Sequence, residues 1–299
     1  MARSLSFDGA FTALATPFLN GAIDFAAVDR LIEHQVKGGI TGVVPVGTTG
    51  ESPVLDSDEA KSLIAHVVRR VAGRTQVIAG TGSNDTKKTI EATRAAKDAG
   101  ADAAMVVMPY YNRPTQAGLV AHIRAVHDAS ELPIVLYNVP IRTASDLAVE
   151  SIVEIAKHCP RVVALKEATG NVLRTQSVVH ALGDRLAVLS GDDALTLGIL
   201  ACGGRGVISV TSNVAPAQVE GVVKAFHQGD LAGARKKHFA LLPLHEVMFV
   251  ESNPGPVKSA LEMMGILGPE VRLPLVWPSA SSAAKVREEL LRQGLLSAR

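Results

Sequence analysis

The chain has 299 residues, 47% apolar and 20% charged, which supplies one large core and argues against disorder. A formal net charge of +1 with no long basic run excludes a surface built to grip nucleic-acid phosphates. Two cysteines, Cys159 and Cys202, make no disulfide framework. Residues 1–8 carry no apolar signal core, and no apolar run reaches the roughly 18 residues of a membrane span, so a reducing, cytoplasmic setting away from membranes is expected.

Along the chain, short apolar runs alternate with longer amphipathic segments. Residues 11–16 read as a strand stopped by Pro17. A helix follows over 26–37, with Val28, Leu31, Ile32 and Val36 at helical spacing and Gly38-Gly39 at its end. A strand at 41–46 runs into Gly47-Thr48-Thr49-Gly50-Glu51-Ser52. Asp56 and Glu59 have the spacing of a capping box, ahead of a helix carrying Leu63, Ile64, Val67, Val68 and Val71 on one face. The rhythm repeats with strands at 76–79, 103–108, 133–137, 162–165, 186–189 and 206–210. Helices are expected over 86–99, up to about 129, from about 147, over 172–182 and up to 202. The tail reads as helices near 231–250, 256–264 and 281–291.

Eight strands alternating with helices over about 215 residues predict a (β/α)8 TIM barrel with a C-terminal helical extension. The expected division is a barrel over 1–226 and a helical region over 227–299 packed on its outside. A doubly wound open sheet is the rival, and it lacks a Gly-x-Gly-x-x-Gly turn: Gly80-Thr81-Gly82-Ser83-Asn84-Asp85 misses the third glycine.

In such a barrel the chemistry gathers at the strands' carboxyl ends. Lys166 closes the apolar run Val162-Val163-Ala164-Leu165 and so sits at the end of a buried strand. Desolvation there favours the neutral amine, which attacks carbonyls to give Schiff bases. The bland alternative is an ion pair with Glu167 or a loop acid. The second strand delivers Thr48 and Thr49, the fourth Tyr110 and Tyr111, the fifth Tyr137 and Arg142, the seventh Gly191, and the eighth Ile208. All three tyrosines of the chain fall at this rim. A Schiff base between Lys166 and a 2-oxo acid would acidify the neighbouring carbon, with the Tyr137 phenol moving protons. The Gly-Thr-Thr-Gly turn could hold a carboxylate and Arg142 could clamp a second one, although a ligand-free tight turn and a rim salt bridge account for them equally simply. No His-Glu-x-x-His, Cys/His cluster or Gly-x-Ser-x-Gly occurs, so neither a metal site nor a serine hydrolase is expected. Asp192-Asp193 would repel a phosphate and reads as the acidic opening of a helix.

Five stretches in order resemble the dihydrodipicolinate synthase family of class I pyruvate aldolases, a group that includes N-acetylneuraminate lyase. They are Gly47-Thr48-Thr49-Gly50-Glu51-Ser52, Pro109-Tyr110-Tyr111-Asn112-Arg113-Pro114, Tyr137-Asn138-Val139-Pro140-Ile141-Arg142-Thr143, Lys166-Glu167-Ala168-Thr169-Gly170-Asn171 and Ser190-Gly191-Asp192-Asp193. The likeness extends to Gly206-Val207-Ile208-Ser209-Val210 and to Asn253-Pro254-Gly255-Pro256-Val257-Lys258. It implies a lyase of the lysine and diaminopimelate route that needs no cofactor and condenses pyruvate with L-aspartate 4-semialdehyde. Lys166 would form the Schiff base. Tyr137, Thr48 and Tyr111 would relay protons, with Tyr111 supplied across a subunit contact of a homotetramer built as a dimer of dimers. Thr49 and Arg142 would bind the two substrates' carboxylates, and Ile208 and Gly191 would line the lysine's pocket. Thr48, Thr49 and Arg142 favour this activity over a sugar-acid lyase, and the intact Lys166, Tyr137 and Thr48 favour it over an inactive binding barrel.

Feedback-inhibited members of that family bind lysine at the subunit contact. Ser52, Asn84 and Tyr110 match that site, whereas Ser57, Ala60 and Lys88 stand where sensitive members often carry His, His and Glu. An ammonium at Lys88 would repel the inhibitor's own, so weak or absent inhibition by lysine is expected.

Overall fold

A computed structural model describes residues 5–297. Eight parallel strands close into a barrel: β1 (Gly9–Ala13), β2 (Gly42–Val44), β3 (Gln76–Gly80), β4 (Ala103–Val107), β5 (Ile134–Asn138), β6 (Val162–Glu167), β7 (Ala187–Ser190) and β8 (Gly206–Ser209). Each is followed by a helix: α1 (Phe25–Lys37), α2 (Ser57–Val71), α3 (Thr86–Asp98), α4 (Gln116–Ala129), α5 (Val149–His158), α6 (Val172–Leu182), α7 (Thr196–Ala201) and α8 (Pro216–His227). The tail adds α9 (Leu231–Val247), α10 (Gly255–Met263) and α11 (Ala280–Arg292). No described helix is long and apolar enough to cross a membrane.

Strand alternation sorts the apolar residues into two layers. Phe11, Val44, Ile78, Met105, Val135, Ala164, Leu189 and Ile208 fill the barrel interior. Their neighbours, such as Val106, Leu136, Leu165 and Val188, face the helices, so strands of continuous apolar character are buried on both sides. Asp56 caps α2 from the N–H groups of Asp58 and Glu59 while Glu59 returns the bond, the expected capping box.

β1 begins two residues before the expected start and ends at Ala13 rather than at residue 16. The cause is non-local: Gly9 to Thr12 pair with Gly206 to Ser209 and close the barrel. A side chain on Gly206 would put its Cβ 2.0 Å from the Gly9 carbonyl oxygen, so the closing strands approach as only glycine allows. Past Ala13 the Asn213 side chain replaces the ladder, donating to the Ala13 carbonyl at 2.8 Å and accepting the Ala15 N–H at 3.1 Å. A small hairpin, Phe18–Leu19 with Ala22–Ile23, follows. Its Asn20-Gly21 turn, both residues at positive φ, is a strong hairpin signal hidden by strands of two residues each.

The tail covers two places. α9 lies along α8 on the barrel's flank. α10 is buried from Gly255 to Leu261 and reaches the loops after β1 and β2 at the carboxyl end of the barrel.

Candidate active site

Register sets the centre of the site. Val107, Tyr137, Lys166 and Leu189 are successive partners across β4 to β7, so a lysine and a phenol stand side by side at one level. Lys166 is only 5% exposed, and its Nζ lies 4.2 Å from the centroid of the Tyr137 ring, itself buried. The ion pair with Glu167 is not formed. Adjacent residues of a strand face opposite sides, and the Glu167 carboxylate turns outward to Arg174 Nε at 3.0 Å and the Thr169 N–H at 2.8 Å. Among the described residues Lys166 has no carboxylate partner.

The turn after β2 is strained and heavily braced. Val46 and Glu51 bracket it at φ 59° and 56°, conformations that cost a β-branched or long side chain energy and persist only where the surroundings enforce them. Within it, the N–H groups of Gly50 and Ser52 both donate to the Gly47 carbonyl. Thr48 is half-buried, and Thr49 is buried with its Oγ1 accepting from Asn253 Nδ2 at 3.0 Å. Glu51 is sequestered beneath the turn. Its Oε1 meets Lys258 Nζ at 2.7 Å, both side chains being 0% exposed, and its Oε2 accepts the Arg272 N–H at 2.9 Å. Lys258 also donates to the Thr16 carbonyl at 2.9 Å and stands 4.5 Å from the Phe18 ring centroid. Burial drives the Lys258 ammonium down from its usual range while Glu51 opposes the shift. Asn253 and Lys258 appeared in the sequence only as a matching stretch with no role attached. A lysine inside the apolar run Pro256-Val257-Lys258-Ser259-Ala260-Leu261 is the same signal that singles out Lys166.

The remaining expected residues divide between one pocket and the rim. Ile208 is buried in the barrel interior with Tyr137 and Leu189. Gly191 donates to the Glu167 carbonyl at 2.7 Å, and a Cβ there would lie 2.5 Å from the Ala168 Cβ, so its backbone can approach the end of the lysine strand only as glycine. Arg142 is exposed on the single helical turn Pro140–Thr143 and forms no ion pair among the described residues, so the rim salt bridge is not made. Tyr111 is not gathered onto Lys166. Its side chain is 89% exposed on a residue at φ 71°, close in sequence to the half-buried Tyr110. Ser52 and Asn84 are half-buried, and the Asn84 carbonyl accepts from Asn112 Nδ2 at 2.9 Å. Lys88, Ser57 and Ala60 lie on α3 and α2, with Lys88 and Ser57 exposed.

The acidic pair after β7 does not act as one helix opening. Asp192 caps the short turn before α7 through the Ala194 N–H, and burial pushes its carboxyl up. Asp193 instead turns inward and accepts from Ser209 Oγ and from the N–H groups of Val210 and Thr211, pinning the end of β8. His245 stands 4.0 Å from Asp193 and hydrogen-bonds Thr211 Oγ1 at 2.9 Å. Among the described residues no group of three His, Cys, Asp or Glu could hold a metal ion.

The closed parallel barrel, with a desolvated lysine against a phenol at its carboxyl end, defines a (β/α)8 protein whose candidate site lies where such barrels carry their chemistry. Comparison with known proteins narrows this. The family model described as the Dihydrodipicolinate synthetase family matches residues 6–293, and the chain belongs to this family. A relative from Sorangium cellulosum named 4-hydroxy-tetrahydrodipicolinate synthase is 53% identical over 290 residues, covering 96% of each chain. The crystal structure of dihydrodipicolinate synthase from Aquifex aeolicus superposes with a TM-score of 0.95 at 44% identity, covering 96% of this chain and 98% of that one. A structure described as the first monomeric dihydrodipicolinate synthase variant matches with a TM-score of 0.95 at 40% identity, covering 97% and 98%.

Proposed function

We propose that this protein is a 4-hydroxy-tetrahydrodipicolinate synthase, a lyase of lysine and diaminopimelate biosynthesis that condenses pyruvate with L-aspartate 4-semialdehyde. The observation that carries the reading is the buried, acid-free Lys166 standing 4.2 Å from the Tyr137 ring. The amine adds to the keto carbon of pyruvate, and loss of water gives the Schiff base. The cationic imine draws electrons from the methyl carbon, whose proton leaves to give an enamine. That carbon attacks the aldehyde. The acceptor's own amine then displaces Lys166 at the imine carbon, closing the ring and freeing the lysine. The iminium is the electron sink, so the chemistry calls on no metal or cofactor.

In this reading Tyr137 moves protons at the forming imine, with Thr48 and Tyr111 as its relay. Thr49 and the turn's backbone N–H groups hold the pyruvate carboxylate. The guanidinium of Arg142, unpaired among the described residues, is free to take the semialdehyde's carboxylate at the rim. Ile208 and Gly191 shape the lysine's pocket. Residues 227–299 serve as an appendage to the barrel of 1–226. Tyr111 and Ile141, both exposed in the single chain, support coverage of this rim by a second copy within a cytoplasmic homotetramer, where Tyr111 would enter the neighbour's site.

The test is intact-mass spectrometry after incubation with pyruvate and borohydride. The wild-type chain should carry one reduced pyruvate adduct, and Lys166→Ala should carry none. No adduct on the wild-type chain, or an undiminished one on the variant, refutes the assignment. Aspartate semialdehyde should then outcompete sugar aldehydes as acceptor.

A further inference from the structure

We propose that Asn253, from the C-terminal extension, is a positioning residue for the keto acid's carboxylate: it fixes the direction in which the Thr49 hydroxyl donates. The inference rests on the reading of Thr49 as a carboxylate ligand and adds the residue that orients it.

A threonine hydroxyl has one proton to give and two lone pairs to accept with. Left alone, it rotates and shares its proton among neighbours. Here Asn253 Nδ2 donates to Thr49 Oγ1 at 3.0 Å, and that is the only hydrogen bond either side chain makes among the described residues. With one lone pair engaged by a donor, the proton of Thr49 has no acceptor among the described residues and is left for an anion. The opposite end of the amide emphasises the point. Asn253 Oδ1 is buried with no partner, so a full amide is held in the interior for the sake of one bond, to Thr49. The anchor at both ends is firm. Asn253 precedes α10, whose Lys258 is locked to Glu51 at 2.7 Å, two residues along the same turn from Thr49. The extension thus grips the turn twice, once at its charged underside and once at the hydroxyl.

The isosteric change separates positioning from packing. An aspartate at 253 can only accept. It would capture the Thr49 proton for itself and set a negative charge behind the carboxylate subsite. Alanine removes the bond but leaves the hydroxyl free to rotate. If Asn253 merely fills space, Asp should be the milder change; if it orients Thr49, Asp should be the harsher.

The measurements are steady-state kinetics and the pyruvate concentration giving half-maximal borohydride-trapped adduct, for wild type, Asn253→Ala, Asn253→Asp and each combined with Thr49→Val. The expected result is a rise in the pyruvate requirement of about threefold for Ala and more than about tenfold for Asp, with kcat changed less than KM. In the Thr49→Val background, Asn253→Ala should add nothing. Melting temperatures of all variants accompany the kinetics, and Asn253→Asp, which keeps the native volume, carries the test should Asn253→Ala fail to fold. An unchanged pyruvate requirement in Asn253→Asp overturns the proposal, as does an Asp effect smaller than that of Ala or an Ala effect that persists without the Thr49 hydroxyl. Failure of the wild-type protein to trap pyruvate would instead remove the underlying reading of Lys166, so the two failures are told apart.

Discussion

Replacing Lys258 with methionine should destabilise the protein far more than replacing Lys258 and Glu51 together. At 2.7 Å, with an effective dielectric of about 20, the pair attracts by about 6 kcal/mol. Both side chains are wholly buried, and removing two charges from water costs several kcal/mol each, so attraction and desolvation nearly cancel and the intact pair contributes little net stability. Breaking it is another matter. Among the described residues, Lys258→Met leaves Glu51 sealed in the interior with the Arg272 N–H as its one remaining donor, and strands the Thr16 carbonyl as well. The expected loss is about 3–5 kcal/mol, or roughly 5–8 °C in melting temperature for a chain of this size. The double variant Glu51→Gln, Lys258→Met removes the uncompensated charge while keeping an acceptor for Arg272, and should recover more than half of that loss. Urea unfolding and calorimetry of wild type, both single variants and the double variant form the cycle. A loss below about 1 kcal/mol for Lys258→Met, or a double variant less stable than that single one, would refute the account of Glu51 as a desolvated charge held by this lysine.

Tyr137→Phe should lower kcat by about 10² to 10⁴ while pyruvate still becomes trapped on Lys166 at long incubation; near-normal turnover would remove the phenol from the proton transfers. Millimolar lysine should leave the initial rate nearly unchanged, because the exposed Lys88 ammonium would repel the inhibitor's own, and strong inhibition would contradict this. Burial lowers His34, His122, His238 and His245 from their ordinary 6.5. As pH falls below 6.5 the unfolded chain therefore takes up protons before the folded one does. Stability should be full above that pH and decline as pH falls below it, ahead of the carboxylates Asp8 and Glu59, whose lowered values place their own loss below 3.8 and 4.5. A melting temperature that stays flat between pH 7 and pH 5 would count against it.

The barrel was legible because each strand is a short apolar run ended by its own turn residues and each helix carries a local 3.6-residue stripe. Lys166 and Tyr137 were legible for a related reason: a polar group at the end of a buried strand contradicts its surroundings and so marks a site. The misplaced start of β1 has the opposite origin. Gly9 and Ala10 have little preference for strand, and they become strand only through pairing with residues nearly 200 positions away. The bracing of the Gly47–Ser52 turn was hidden similarly, since Glu51 and Lys258 stand 207 positions apart and no periodicity links them. The pair Asp192 and Asp193 reads as one acidic cluster, yet the two side chains part, one to cap a local turn and the other to hold the next strand's end.

The bond between Glu51 and Lys258 also bears on how the protein comes into being. Ribosomes release a chain from its N-terminus, and the last barrel strand is complete at Ser209. At that moment Glu51 still lacks its counter-charge and Thr49 its amide neighbour, both of which arrive more than forty residues later. The turn after β2 is therefore synthesised long before the residues that brace it. A chain cut short before residue 253 would still encode all eight strands and Lys166, yet it would lack both groups that brace the turn after β2.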